Sequence, residues 1–222
     1  MKIEPYIDSI RETSPLSLKT LYKKEHWLSH QYHDSLIVNY IENISEEYSS
    51  GISRNDIIKY LSNQNNSLVQ GFLMTMIWGH GYTEHTKADN RGPWKVSQML
   101  PNLNGSEKKL EKVKKLLLDN DLIEACNLFE DMKRCKISFY SKFLYFLGKG
   151  ISMSNYPLIF DARVGKTIGQ LISTDQQMFS ILEVRQSQDP KAFKIYVERI
   201  HELSKLYNVE ADNIEFFLFK GI

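Results

Sequence analysis

The stretch Ile137-Ser138-Phe139-Tyr140-Ser141-Lys142-Phe143-Leu144, followed by Tyr156-Pro157-Leu158-Ile159-Phe160-Asp161-Ala162-Arg163-Val164, decides how this chain is read. Its first part predicts an aromatic helix over Ser138–Leu147 with a lysine at its centre. Phe139, Phe143 and Phe146 surround Lys142 with apolar surface. Such a setting disfavours an ammonium and lowers the lysine's pKa, which is how an amine becomes a nucleophile near neutral pH. The plainer alternative is a lysine whose stem covers an apolar face while its head reaches water. A linker through Gly150 and Pro157 leads to Asp161, at the N-cap of a helix predicted over Val164–Ile172. A carboxylate there is kept ionised by free backbone N–H groups and can stabilise positive charge developing on a substrate.

Outward from this segment the pattern stays helical. Asp189-Pro190 supplies a cap and an N1 proline ahead of a helix over Phe193–Tyr207, and Ala211–Phe219 follows as a short apolar segment. On the N-terminal side, helical spacing predicts elements over Ser17–His33, Leu36–Tyr48, Asn66–Trp78, Trp94–Leu100, Ser106–Leu118 and Leu122–Met132. Ser53-Arg54-Asn55-Asp56 reads as a helix start, leading into Ile57, Ile58 and Leu61. Gly79 to Pro93 has the texture of a loop. No alternating strand pattern of useful length and no internal repeat occurs, so the fold class is all-α. One compact helical domain over 1–222 is expected, with lobes 1–100 and 101–222.

Composition narrows the partners. With 28 Lys and Arg against 27 Asp and Glu, a net charge of +1 gives no bulk attraction to nucleic acid, so any basic footprint must be local. Lys108-Lys109, Lys112, Lys114-Lys115 and Lys133-Arg134-Lys136 are the candidates, though a solvated helix face explains the first groups equally well. The opening Met1-Lys2-Ile3-Glu4-Pro5 carries no apolar signal segment, and Cys126 and Cys135 are the two cysteines; a reducing cytoplasm is expected. The longest apolar run, around Leu73–Trp78, is too short for a bilayer, so no membrane is expected.

The catalytic stretch resembles the helix-hairpin-helix DNA glycosylases, and most of all the compact bacterial group similar to 8-oxoguanine DNA glycosylase. In that superfamily a lysine begins the second hairpin helix and an aspartate follows nineteen positions later, behind a proline-containing apolar segment. Lys142 and Asp161 are nineteen apart. The resemblance covers residues 130–175 most strongly, and implies a helical bundle with a cleft between two helical lobes. It implies a base-excision DNA glycosylase with AP lyase activity, in which Lys142 displaces an oxidised purine to form a Schiff base and Asp161 assists. DNA carrying a damaged or modified guanine is the implied substrate, no cofactor is called for, and a monomer is expected. Compact relatives occur in bacterial defence gene clusters beside deazaguanine-handling enzymes. The same fold acting on a modified nucleobase on another carrier, alongside proteins of such a cluster, therefore stays open, as does a non-catalytic helical binding module.

Trp78-Gly79-His80-Gly81 and Arg91-Gly92-Pro93-Trp94 are also similar to segments of the compact group. The implied substrate-binding residues are Trp78, His80, Arg91, Phe139, Arg163 and an aromatic of the last helix, Phe216 or Phe217, with Phe217 the choice. Ser138 and Tyr140 stand where the usual hairpin has glycines that approach a phosphate. His26, His30 and His33 have the spacing of one helix face, but metal sites recruit ligands from several elements, and no metal is expected. His80 and His85 lack the spacing of a zinc motif, and the two cysteines read as buried free thiols.

Overall fold

The computed structural model describes residues 2–81, 91–171 and 189–221. Twelve α-helices run through these residues: α1 (Ile7–Arg11), α2 (Lys24–Leu28), α3 (Ser35–Glu47), α4 (Arg54–Ser62), α5 (Leu68–His80), α6 (Gly92–Met99), α7 (Leu103–Leu118), α8 (Leu122–Asn127), α9 (Ile137–Gly150), α10 (Ala162–Leu171), α11 (Pro190–Tyr207) and α12 (Ala211–Lys220). The fold is all-α, as expected. Its β-structure among these residues is one antiparallel pair, β1 (Lys19–Thr20) on β2 (Ile52–Ser53).

Local chemistry accounts for most helix boundaries. Ser53 and Asp56 form a reciprocal capping box that starts α4, and Asn102, Asp121 and Asp189 accept from backbone N–H groups at the heads of α7, α8 and α11. The N-terminus of α5 has a remote cap as well: Glu107 on α7 accepts from the backbone N–H groups of Leu68 and Val69 at 2.9 and 3.1 Å. That bond ties two helices together at the end opposite Trp78 and His80.

The expected helix over Ser17–His33 is a correction. Pro15–Ser17 forms a 3-10 turn, Lys19–Thr20 pairs as β1, and only Lys24–Leu28 is α-helical. Strand pairing with Ile52–Ser53 outweighs the helical spacing of Leu18 and Leu21. Gly51, at φ +102°, makes the approach possible, since a Cβ there would meet the Thr20 carbonyl oxygen at 2.8 Å. Because α2 ends at Leu28, His26, His30 and His33 do not share a helical face; His30 packs edge-on against Tyr32 instead. The helix expected to reach Met132 also stops early, at Asn127, before a run of turns. Residues 82–90 of the expected loop, His85 among them, and Ile172, the last residue of the helix expected over Val164–Ile172, lie outside the described residues.

The core is one continuous apolar cluster drawn from both halves of the chain, with Phe72, Phe129, Phe143, Phe146, Phe160 and Phe193 among its fully buried side chains. Helix α9 runs through it, with α4, α5 and α7 packed against it. Lys142 therefore arrives in the interior by virtue of its helix. Among the described residues no helix is long and apolar enough to cross a membrane.

Candidate active site

A clamp between neighbouring residues brings Lys142 and Asp161 to one place. The Ser141 hydroxyl accepts from the Phe160 N–H at 3.1 Å and donates back to the Phe160 carbonyl at 3.3 Å. Tyr196 on α11 donates to the Ile159 carbonyl at 3.0 Å, holding the linker from its other side. At the far end of the linker, Gly148 lets Pro157 lie against α9; a Cβ there would meet the proline Cδ at 2.6 Å. With residues 141 and 160 fixed, 142 and 161 follow. The Asp161 carboxylate accepts from the N–H groups of Arg163 and Val164 at 2.9 and 3.1 Å, the N-cap of α10.

Lys142 is 8% exposed, and its ammonium nitrogen donates to the Ser138 carbonyl one turn back. Burial pushes its pKa below the ordinary lysine value, Asp161 and Glu215 oppose that shift, and Arg54 adds to it. Gly79 leaves room for the lysine stem, since a Cβ there would stand 3.2 Å from Lys142 Cδ.

Lys142 opens into a cleft of about 380 Å³ with walls from both halves of the chain: Pro15, Leu18, Thr20, Arg54 and Trp78 to Gly81 on one side, Lys142, Ile159, Asp161, Arg163, Phe216 and Phe219 on the other. That volume falls within the range of about 300–1,000 Å³ usual for small-molecule pockets. Trp78 is half-buried, edge-on to Phe146 at 5.2 Å. His80 is buried and stacks on Phe139 at 4.6 Å, while Phe139 lies 5.8 Å from the Lys142 nitrogen. Arg163, on the exposed first turn of α10, covers the Phe219 ring at 5.0 Å.

Lys142, Asp161, Trp78, His80 and Arg163 thus share the cleft, with Phe139 behind His80. Arg91 and Phe217 do not line it. Arg91 is exposed at the head of α6, and Phe217 turns toward Tyr6, ring centroids 5.1 Å apart. Phe216 and Phe219 take the cleft-facing positions of α12.

Sequence reasoning missed the buried ion pair at the cleft floor. Arg54 Nη1 lies 2.6 Å from Glu215 Oε2, with side chains 3% and 0% exposed. Three rings hold the guanidinium: Tyr145, Trp78 and Phe216, at 5.3, 5.4 and 5.5 Å. Two signals were present. Arg54 is a cation in the first turn of a helix, where the dipole favours acids, and Glu215 is an acid inside the apolar run of α12.

The family model described as "Putative 8-oxoguanine DNA glycosylase OGG-like protein" matches residues 14–219. The chain belongs to that family, whose description points to a DNA glycosylase, an enzyme acting on DNA. Neither the curated proteins nor the solved structures yield a match.

Proposed function

We propose that this chain is a DNA glycosylase with AP lyase activity that removes an oxidised guanine, of the 8-oxoguanine kind, through a Schiff base on Lys142. The observation that carries the reading is a buried lysine in the wall of a cleft, held down in pKa by burial, beside a carboxylate capping the next helix. The target nucleoside turns out of its stack into the cleft. Lys142 Nζ attacks the sugar C1′ as the bond from C1′ to the base breaks; the base leaves with the bonding pair and takes up a proton. Opening of the sugar gives the Schiff base, and loss of a C2′ proton expels the 3′-phosphate. Asp161, whose carboxylate caps α10, stabilises the positive charge on the sugar.

Phe216 and Phe219 are placed to stack the extruded base, with Trp78 and His80 as the opposite wall. Arg163 at the mouth and Arg91 outside it are suited to backbone phosphates. One feature favours a second substrate class. Tyr140, at a hairpin position where glycine usually gives a phosphate access, is buried in the core against Phe129. A weaker grip on duplex DNA follows, and a modified, deazaguanine-type base on another carrier, handled with proteins of a defence gene cluster, is the alternative. A monomer acting in the cytoplasm suits either substrate.

Borohydride trapping decides between them. Duplexes carrying 8-oxoguanine or an abasic site should give a covalent adduct that falls at least about 10³-fold in Lys142→Ala. Asp161→Asn should keep the helix cap and lose about 10²-fold in trapping. An adduct that survives in Lys142→Ala removes the lysine from the mechanism; no adduct on any duplex removes the Schiff-base lyase reading on DNA.

A further inference from the structure

Helix α9 carries two lysines on one face, Lys142 and Lys149, two turns apart, and α12 carries two buried carboxylates, Asp212 and Glu215. Lys149 takes its acid, with Nζ 2.6 Å from Asp212 Oδ2. Lys142 does not take the other. Glu215 is fully enclosed and is engaged by both guanidinium nitrogens of Arg54, at 2.6 and 3.5 Å. The rings of Tyr145, Trp78 and Phe216 fix Arg54 in that position, and Arg54 and Lys142 line the same cleft.

A buried carboxylate is costly without a cation. The Lys142–Ser138 bond, to a main-chain carbonyl, can be exchanged for a carboxylate. Among the described residues, the charged and titratable groups around Lys142 are Arg54 from α4, His80 from α5, Lys95 from α6 at the Phe139 ring, Asp161 at the head of α10, Tyr196 from α11 and Glu215 from α12. The buried face of α7 carries no charge: its residues are Leu103, Ser106, Leu110, Val113 and Leu117. Of the two carboxylates, Asp161 has its Oδ1 engaged by two backbone N–H groups of α10, whereas both oxygens of Glu215 are engaged by Arg54, so Glu215 is the one whose freedom depends on a single side chain.

We propose that Arg54 is a positioning residue for the Lys142 site: by claiming Glu215, it keeps that carboxylate from drawing Lys142 into an ion pair of the Lys149–Asp212 kind. Its catalytic consequence rests on the reading of Lys142 as nucleophile; its electrostatic content does not. An unclaimed Glu215 would favour the ammonium, which cannot attack C1′.

The test follows Lys142 in two ways over a pH series: acetic anhydride labelling of DNA-free protein, read by peptide mass spectrometry, and borohydride trapping on lesion DNA. Arg54→Met should move both midpoints up by about one pH unit, about a tenfold loss at any pH below them. Arg54→Lys, which keeps a cation, should hold the midpoint. The double variant Arg54→Met/Glu215→Gln should return it, and replacing both members of a buried pair by neutral groups is tolerated far better than removing one. Glu215→Gln alone should lower the labelling midpoint, a check independent of how Arg54→Met folds. An unmoved midpoint in Arg54→Met, a rise that persists in the double variant, or a rise in Glu215→Gln overturns the proposal. Labelling that shifts as expected without an adduct on any DNA upholds the role of Arg54 and overturns the lyase reading instead.

Discussion

Lys142 and Lys149 lie on the same face of α9, but their surroundings serve opposite ends. Lys149 is about one-fifth exposed and rests on the Tyr156 ring while its nitrogen meets Asp212, whose carboxylate also accepts from Tyr145 at 3.0 Å and from Tyr156. Every polar group in that cluster has a partner, and the cluster joins α9, the linker and α12. Lys142 donates to a main-chain carbonyl and lies within the electrostatic reach of Asp161, Glu215 and Arg54. The first lysine contributes to the fold; the second costs it stability. On the proposed function, the difference separates a structural cation from a nucleophilic amine on a single helix.

The comparison can be broken most forcefully at the structural lysine. Lys149→Met leaves the Asp212 carboxylate buried with only tyrosine donors, and should lower the unfolding free energy by roughly 3 kcal/mol, the low end for a broken buried pair because Lys149 can reach water. Urea unfolding measures that loss, while the folded fraction should still trap lesion DNA. Loss of trapping at full folding would show that the two lysines are not separate in function.

Lys142→Met should act in the opposite direction. A lysine whose folded pKa lies below its ordinary value of 10.5 penalises the folded state at any pH below that value, because folding must either bury the ammonium or release its proton. The penalty is full at acid pH and disappears as pH rises toward the ordinary value. Melting temperature should therefore rise by a few degrees, about 2–4 °C for each kcal/mol regained in a chain of this size. The gain should shrink as pH is raised from 7 to 10; a gain that is flat or grows with pH contradicts a depressed Lys142.

The smallest effect sharpens the picture of the lysine's placement. Gly79→Ala puts a Cβ 3.2 Å from Lys142 Cδ, a contact that a flexible stem relieves by shifting a few tenths of an ångström. Trapping should fall about three- to tenfold, since displacements near 1 Å cost about a hundredfold, with melting nearly unchanged. Parallel losses in both would make Gly79 a packing residue only.

Much of this was legible in the chain itself. Helices α3 to α7 and α9 to α12 are written in caps and apolar spacing, local signals that survive folding because no competing pairing overrides them. Lys142 and Asp161 stood out because their spacing of nineteen resembles that of the helix-hairpin-helix glycosylases; residue type and local position alone also fitted a lysine covering an apolar face and a plain helix cap. The segment from Ser17 to His33 misled because its helical spacing competed with a strand partner, Ile52–Ser53, more than thirty residues away. Phe217 lies against Tyr6 and off the cleft, because the resemblance points to an aromatic of the last helix without saying which neighbour each ring meets.

By itself, then, the sequence determined an all-helical chain with one lysine set among phenylalanines and one aspartate at the head of a later helix, since each depends on neighbours within a few turns. Tertiary structure alone decided that Ser141 and Phe160 would clamp these two together, that Phe216 and Phe219 would face the cleft, and that Arg54 would reach Glu215 across 161 positions. Those arrangements depend on which helices share the core, and ion pairing at that separation leaves no periodic trace along a chain.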